Sequence, residues 1–214
     1  CTPRRARWER WTNPISPTDS RTRSGSRGHS MFERLLERIA AEFDSRSIPY
    51  LIIGGQAVLV HGEPRLTRDI DVTLGVGVDR LDDMLAIVKH AGWNVLVQSP
   101  RDFVQQTMVL PCEDSGSGVR LDFIFSHSSY ERQAMARTTT LKGGQTDVRF
   151  ASPEDLVIHK VVAGRPRDIE DVRSVLLKNP QVDVTYIRRW LGELGAALNE
   201  PLVKRFEDVL KSAQ

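Results

Sequence analysis

Asp69 and Asp71 stand two residues apart in the run Arg65-Leu66-Thr67-Arg68-Asp69-Ile70-Asp71-Val72, where a segment over 70–76 reads as a β-strand. Side chains alternate along a strand, so the two carboxylates share one face while Ile70 and Val72 turn to the core. Like charges held side by side repel each other, and a divalent cation between them removes the conflict. Hard oxygen ligands select Mg2+ or Mn2+. Such a pair suits an enzyme that handles phosphate. A third carboxylate, Asp122, interrupts the apolar segment 119–125. Alternation places Arg120, Asp122 and Ile124 on one face and Leu121, Phe123 and Phe125 on the other. An acid in so apolar a strand is costly unless paired or metal-bound. The plainer reading is an Asp–Arg pair on a solvated face. The preferred one is a third metal ligand, because Asp69 and Asp71 need a companion.

Upstream, Gly54-Gly55 directly follows the apolar run Tyr50-Leu51-Ile52-Ile53. Glycine lets the backbone approach a phosphate and adopt dihedrals closed to other residues. A short helix after it aims free N–H groups at an anion. The dipeptide alone reads as an ordinary turn; its weight comes from Arg65, Thr67 and the two aspartates close behind. Downstream, Lys160 shares a helix face with Leu156, Val157 and Ala163. A lysine so placed usually snorkels to water. Asp168 and Asp171 lie on one face of the next helix, where the dipole favours them and Arg165 and Arg167 are possible partners. His61, His90, His127 and His159 have no metal-ligand spacing, and Cys112 reads as a passive strand residue.

The elements that position these residues follow from apolar periodicity. Phe32, Leu35, Leu36, Ile39 and Phe43 predict a helix over 31–46. Strands are expected at 50–53, 70–76, 93–98, 105–111 and 119–125. One or two short strands are expected within 138–150. Helices are expected at 56–61, 79–91 and 128–136. Ser152-Pro153-Glu154-Asp155 has the form of an N-cap with proline at the first helical position. Beyond it lie helices at 153–163, 167–178, 184–197 and 200–212. The fold class is α+β, a mixed sheet with flanking helices followed by a helical region. Three regions are expected: 1–30, 31–151 as the catalytic domain, and 152–214 as a helical region completing the active site. Residues 1–30 hold seven arginines, Trp8 and Trp11 but almost no aliphatic residues. They read as a disordered basic arm, able to grip RNA, or as a non-native extension, and the second is favoured.

The chain has 214 residues, is 27% charged and 40% hydrophobic, and carries a net charge of +2. The totals alone do not announce a nucleic-acid binder. Two cysteines exclude a disulfide framework and a zinc ligand set. No apolar run approaches a membrane span. A cytoplasmic protein is expected.

In order and spacing, Ile53-Gly54-Gly55, Asp69-Ile70-Asp71 and Asp122 resemble the nucleotidyltransferase superfamily, with its polymerase-beta-like fold. Gly54-Gly55-Gln56-Ala57, the run from Arg65 through Asp71, and Lys160 followed by Arg167-Asp168-Ile169-Glu170-Asp171 resemble more closely the AbiEii-like toxin and related minimal nucleotidyltransferases. That likeness reaches about residue 180. It implies Mg2+-dependent (or Mn2+-dependent) transfer of NMP from an NTP such as ATP to an acceptor hydroxyl. The implied metal ligands are Asp69, Asp71 and Asp122, which with Lys160 form the catalytic set. The implied nucleotide-binding residues are Gly54, Gly55, Gln56, Arg65, Thr67, Lys160 and Asp168. The implied acceptor is a tRNA 3′ end, and the implied partner is a cognate antitoxin. Other acceptors are a small molecule such as an antibiotic, or a protein. A relative that only binds nucleotide or a partner is the non-catalytic alternative. Relatives often carry Ser or Thr just after the glycines; Gln56 and Ala57 stand there instead, which shifts phosphate binding onto backbone N–H groups, Thr67, Arg65 and Lys160.

Overall fold

The computed structural model describes residues 6–7, 30–126 and 128–213. The expectation for residues 1–30 therefore falls mostly outside the described residues, as does that for His127. The elements run β1 (Ala6–Arg7), α1 (Met31–Asp44), β2 (Tyr50–Ile53), α2 (Gly54–His61), β3 (Asp69–Leu74), α3 (Leu81–His90), β4 (Trp93–Val95), α4 (Pro100–Thr107), β5 (Val109–Asp114), β6 (Arg120–Phe125), α5 (Ser129–Ala136), β7 (Thr139–Lys142), β8 (Val148–Phe150), α6 (Pro153–Ala163), α7 (Pro166–Lys178), α8 (Val184–Leu198) and α9 (Leu202–Ser212). The strands form one mixed sheet in the order β1-β7-β8-β2-β3-β6-β5-β4. This is the expected α+β class.

Each element has a local cause. In α1 the Ser30 side chain accepts from the Glu33 N–H while Glu33 reaches back to the Ser30 N–H, a capping box. Its face of Leu35, Leu36, Ile39, Ala40 and Phe43 is buried. The Phe43 ring meets Tyr50 at 5.4 Å and Phe123 at 5.7 Å, and Trp93 meets Phe123 at 5.3 Å. These contacts seal the face of the sheet that carries Phe123 and leave the opposite face of β3 and β6 for the carboxylates. Ser152 caps α6 by accepting from the Asp155 N–H, Pro153 opens it, and Gly164 ends it at φ +64°.

One segment departs from expectation. Residues 105–111 read as a strand, but Pro100–Thr107 is helical and the strand begins at Val109. Pro100 starts this helix and Met108, at φ +60°, stops it. Only Val104 of α4 is buried, so the helical period hardly shows in the apolar pattern. The strand also runs on through Asp114, past the expected end at 111.

The helices after β8 fold back onto α2. Asn179 donates to the His61 carbonyl at 2.7 Å and Lys178 to the Gly62 carbonyl at 3.0 Å. His61 Nε2 lies 2.8 Å from the Ala151 carbonyl, and burial pushes the pKa of this imidazole down. A neutral ring donating Nε2–H satisfies both observations. These bonds fix the far end of α2, and so the direction in which its N-terminus points.

Candidate functional site

The β-ladder assembles the first wall. Strands β3 and β6 run parallel with Asp71 opposite Asp122 and Asp69 opposite Arg120, and β2 places Ile53 opposite Asp71. Ile70 and Val72 are buried while Asp69 and Asp71 are only partly so. Thus all three predicted carboxylates share one sheet face. The glycine pair abuts them. Gly54 sits at φ +63°, and a Cβ there would overlap Asp71 Oδ2; a Cβ on Gly55 would overlap Thr67 Oγ1. The two glycines let the start of α2 lie directly against the Asp71 carboxylate and the Thr67 hydroxyl. Thr67 in turn donates to Asp69 Oδ1 at 3.0 Å.

The opposite wall comes from α6 and α7. A cavity of about 520 Å³ lies between the walls, lined by Gly54, Gly55, Arg65, Thr67, Asp69, Asp71, Lys160 and Asp168 together with Leu66, Arg68, Arg165 and Arg167. Lys160 is buried, and its Nζ pairs with Asp168 at 2.7 Å and Asp171 at 2.9 Å. Arg65 grips Asp171 through Nε and a terminal nitrogen at 2.8 and 2.9 Å. Arg165 Nε donates to Asp168 at 2.6 Å. Burial tends to raise the pKa of the Asp168 carboxyl, but the hydrogen bonds from Arg165 and Lys160 override it and hold the pKa low.

Three placements differ from what the sequence suggests. Gln56 does not line the cavity: it is 1% exposed on α2, and neither amide atom has a hydrogen-bond partner among the described residues. Its backbone N–H, one of the free donors at a helix start, is what it can offer a ligand. Lys160 and Arg65 line the cavity but are already committed to acidic partners. The cations more open to a ligand are Arg68, Arg165 and Arg167. Arg165 is 74% exposed even while paired, and Arg167 donates to the Leu66 carbonyl at 3.2 Å. The signal for them was in the sequence as Arg68, between Thr67 and Asp69, and as the Arg165-Pro166-Arg167 spacing.

Asp122 lies one strand away from the cavity lining, and the Arg120 Nε contacts both its oxygens at 3.0 and 3.1 Å. The plainer expectation, an Asp–Arg pair, is therefore present. Among the described residues no three acidic, histidine or cysteine groups form a ready-made metal centre. The donor chemistry nonetheless fits a hard divalent ion. Asp71 makes no hydrogen bond or ion pair among the described residues. Burial, then the charges of Asp69 and Asp122, push its pKa up to about 6, against the pull of Lys160 and Arg165. A carboxylate under that repulsion gains from a cation seated beside it.

Residues 118–207 match the family model described as a nucleotidyltransferase of unknown function (DUF6036). Over that span the chain is similar to this nucleotidyltransferase family. Among solved structures, the antibiotic-resistance factor ANT(2'')-Ia in solution aligns with a TM-score of 0.54 at 20% identity, over 78% of this chain and 95% of the other. The same factor in complex with adenylyl-2''-tobramycin aligns at 0.51 and 21% identity, over 84% and 98%. An antigenic nucleotidyltransferase-like protein from Paracoccidioides brasiliensis aligns at 0.50 and 18% identity, over 82% and 91%. Likeness at these identities establishes the fold. No curated protein matches by sequence. No helix among the described residues is long and apolar enough to cross a membrane.

Proposed function

We propose that this nucleotidyltransferase moves NMP from an NTP to an acceptor hydroxyl, and that the acceptor is a tRNA 3′ end. The supporting observation for the chemistry is the ladder register that sets Asp71 beside Asp122 and against Gly54. The triphosphate enters the cavity with its β- and γ-phosphates toward Arg68, Arg165 and Arg167. The first N–H groups of α2 and the Thr67 hydroxyl approach its oxygens from the other side. Arg65 and Lys160, held by Asp168 and Asp171, supply a fixed positive field behind them. Asp69 and Asp71 would hold a divalent ion, with Asp122 completing the set. When bound, that ion neutralises phosphate charge and makes the acceptor hydroxyl easier to deprotonate. The acceptor oxygen attacks the α-phosphorus, its proton passes to Asp122, the bond to the β-phosphate oxygen breaks and pyrophosphate leaves.

The tRNA acceptor rests on the resemblance of the Gly54–Ala57, Arg65–Asp71 and Lys160–Asp171 segments to the toxin-type transferases. A small hydroxylated acceptor is the second reading, motivated by the fold shared with a protein whose structure contains adenylyl-2''-tobramycin. The role of antitoxin-controlled toxin follows only if tRNA is modified. Incubating the protein with each labelled NTP, total tRNA and Mg2+ tests the proposal. A labelled tRNA band is expected. Label appearing on an aminoglycoside or on protein, with none on tRNA, moves the acceptor assignment; no label anywhere with any NTP removes the activity.

A further inference from the structure

Arg120 occupies an unusual position. It faces Asp69 across β3 and Glu113 across β5, and it precedes Asp122 by two residues on β6. Residues opposite one another in a ladder lie on the same face. Three carboxylates therefore share its face of the sheet, with Asp122 the one in ion-pair contact among the described residues, and the Arg120 side chain is 56% exposed. At present it is turned onto both oxygens of Asp122. Glu113 is half-buried and makes no ion pair among the described residues.

The geometry points to Arg120 as an internal counter-ion that competes with the divalent metal for Asp122 and exchanges onto Glu113 when the metal binds. The inference rests on the metal reading of Asp122. A divalent ion on Asp122 competes for the carboxylate lone pairs that the Arg120 Nε–H now shares and repels the guanidinium, so metal binding at Asp122 favours Arg120 moving away. The register offers it Glu113 at the neighbouring strand position, with no change of backbone. In the metal-free protein the pair keeps the carboxylate row from repelling itself. In the loaded protein the same arginine is drawn aside and neutralises Glu113.

Mn2+ titration of the full chain, followed by the electron paramagnetic resonance signal of free Mn2+, tests this without any turnover. Arg120→Gln is expected to bind Mn2+ about threefold to fivefold more tightly, the scale of an exposed ion pair that no longer has to be broken. Glu113→Gln is expected to weaken binding, and to have no effect in the Arg120→Gln background. Asp122→Asn is the control. If Asp122→Asn binds Mn2+ as the wild type does, the metal reading of Asp122 fails. If Asp122→Asn loses affinity while Arg120→Gln is unchanged or weaker, the counter-ion role alone is overturned. Circular dichroism of each variant confirms that the comparison is between folded proteins.

Discussion

Two charged clusters face each other across the cavity, and they are built on opposite plans. The α6–α7 wall is balanced: Lys160, Arg65 and Arg165 are matched to Asp168 and Asp171 with every partner within 3 Å. The β3–β6 wall is unbalanced: Asp71 has no hydrogen-bond or ion-pair partner among the described residues, and burial, then the charges of Asp69 and Asp122, raise its pKa to about 6. On the proposed function, the self-satisfied cluster acts as scaffold and the one left in conflict gains from a bound cation. The contrast separates the two sets of aspartates by environment, which residue type alone does not do.

The contrast breaks first if the two walls respond alike to neutralisation. Asp71→Asn is expected to lower NMP transfer by about a thousandfold, as loss of a group that stabilises transferring charge does, without loss of stability. Asp168→Ala leaves Lys160 and Arg165 short of a buried anion. It is expected to lower unfolding free energy by about 3 kcal/mol, read by urea denaturation. Equal destabilisation by the two substitutions would dissolve the distinction between ligand site and scaffold.

A pH series sharpens the same point, because the two aspartates shift in opposite directions. The Asp168 pKa is depressed in the folded state, so its contribution is present above the ordinary carboxylate pKa and is lost as pH falls through the folded value. Asp71 is raised to about 6 from 3.8, so its charge opposes folding at neutral pH. Asp71→Asn should therefore be more stable than wild type at pH 7, with the gap closing as pH falls from about 6 to 3.8. Asp168→Asn should be less stable at pH 7, with its gap closing only below the ordinary carboxylate range. Thermal melts across this span in metal-free buffer read both.

Much of the unbalanced wall was legible in the sequence. Alternation alone put Asp69 and Asp71 on one face, and Arg120 with Asp122 on one face, because a two-residue period admits no other arrangement. Ser152 and Pro153 announced α6 through capping chemistry that acts locally. The balanced wall was only half legible. Lys160, Asp168 and Asp171 stood out as residues, but their mutual pairing depends on the angle between α6 and α7, which is set by packing and leaves no periodic trace. Likewise, nothing local predicts which strand lies beside β3, so the opposition of Asp71 to Asp122 had to come from the fold. Residues 105–107 read as strand because α4 buries a single side chain, and a helix without an apolar stripe has no period to detect.

The smallest expected effect tests which cations meet the substrate. Arg65 and Lys160 are tied to acidic partners, whereas Arg68 lines the cavity and makes no ion pair among the described residues. If it contacts the triphosphate, Arg68→Ala removes one charge-assisted interaction and should raise the KM for NTP about threefold to tenfold. Stability should stay within about 0.5 kcal/mol, since the residue is exposed and supports no other group. Arg65→Ala should do the reverse, lowering stability by leaving the buried Asp171 with Lys160 as its remaining cation, with a smaller change in KM. Steady-state kinetics at varied NTP, alongside urea denaturation of both variants, gives the two ratios. A KM effect from Arg65→Ala that exceeds that of Arg68→Ala would mean that the balanced wall opens when nucleotide arrives. Its ion pairs would then be partners exchanged for phosphate rather than a fixed frame.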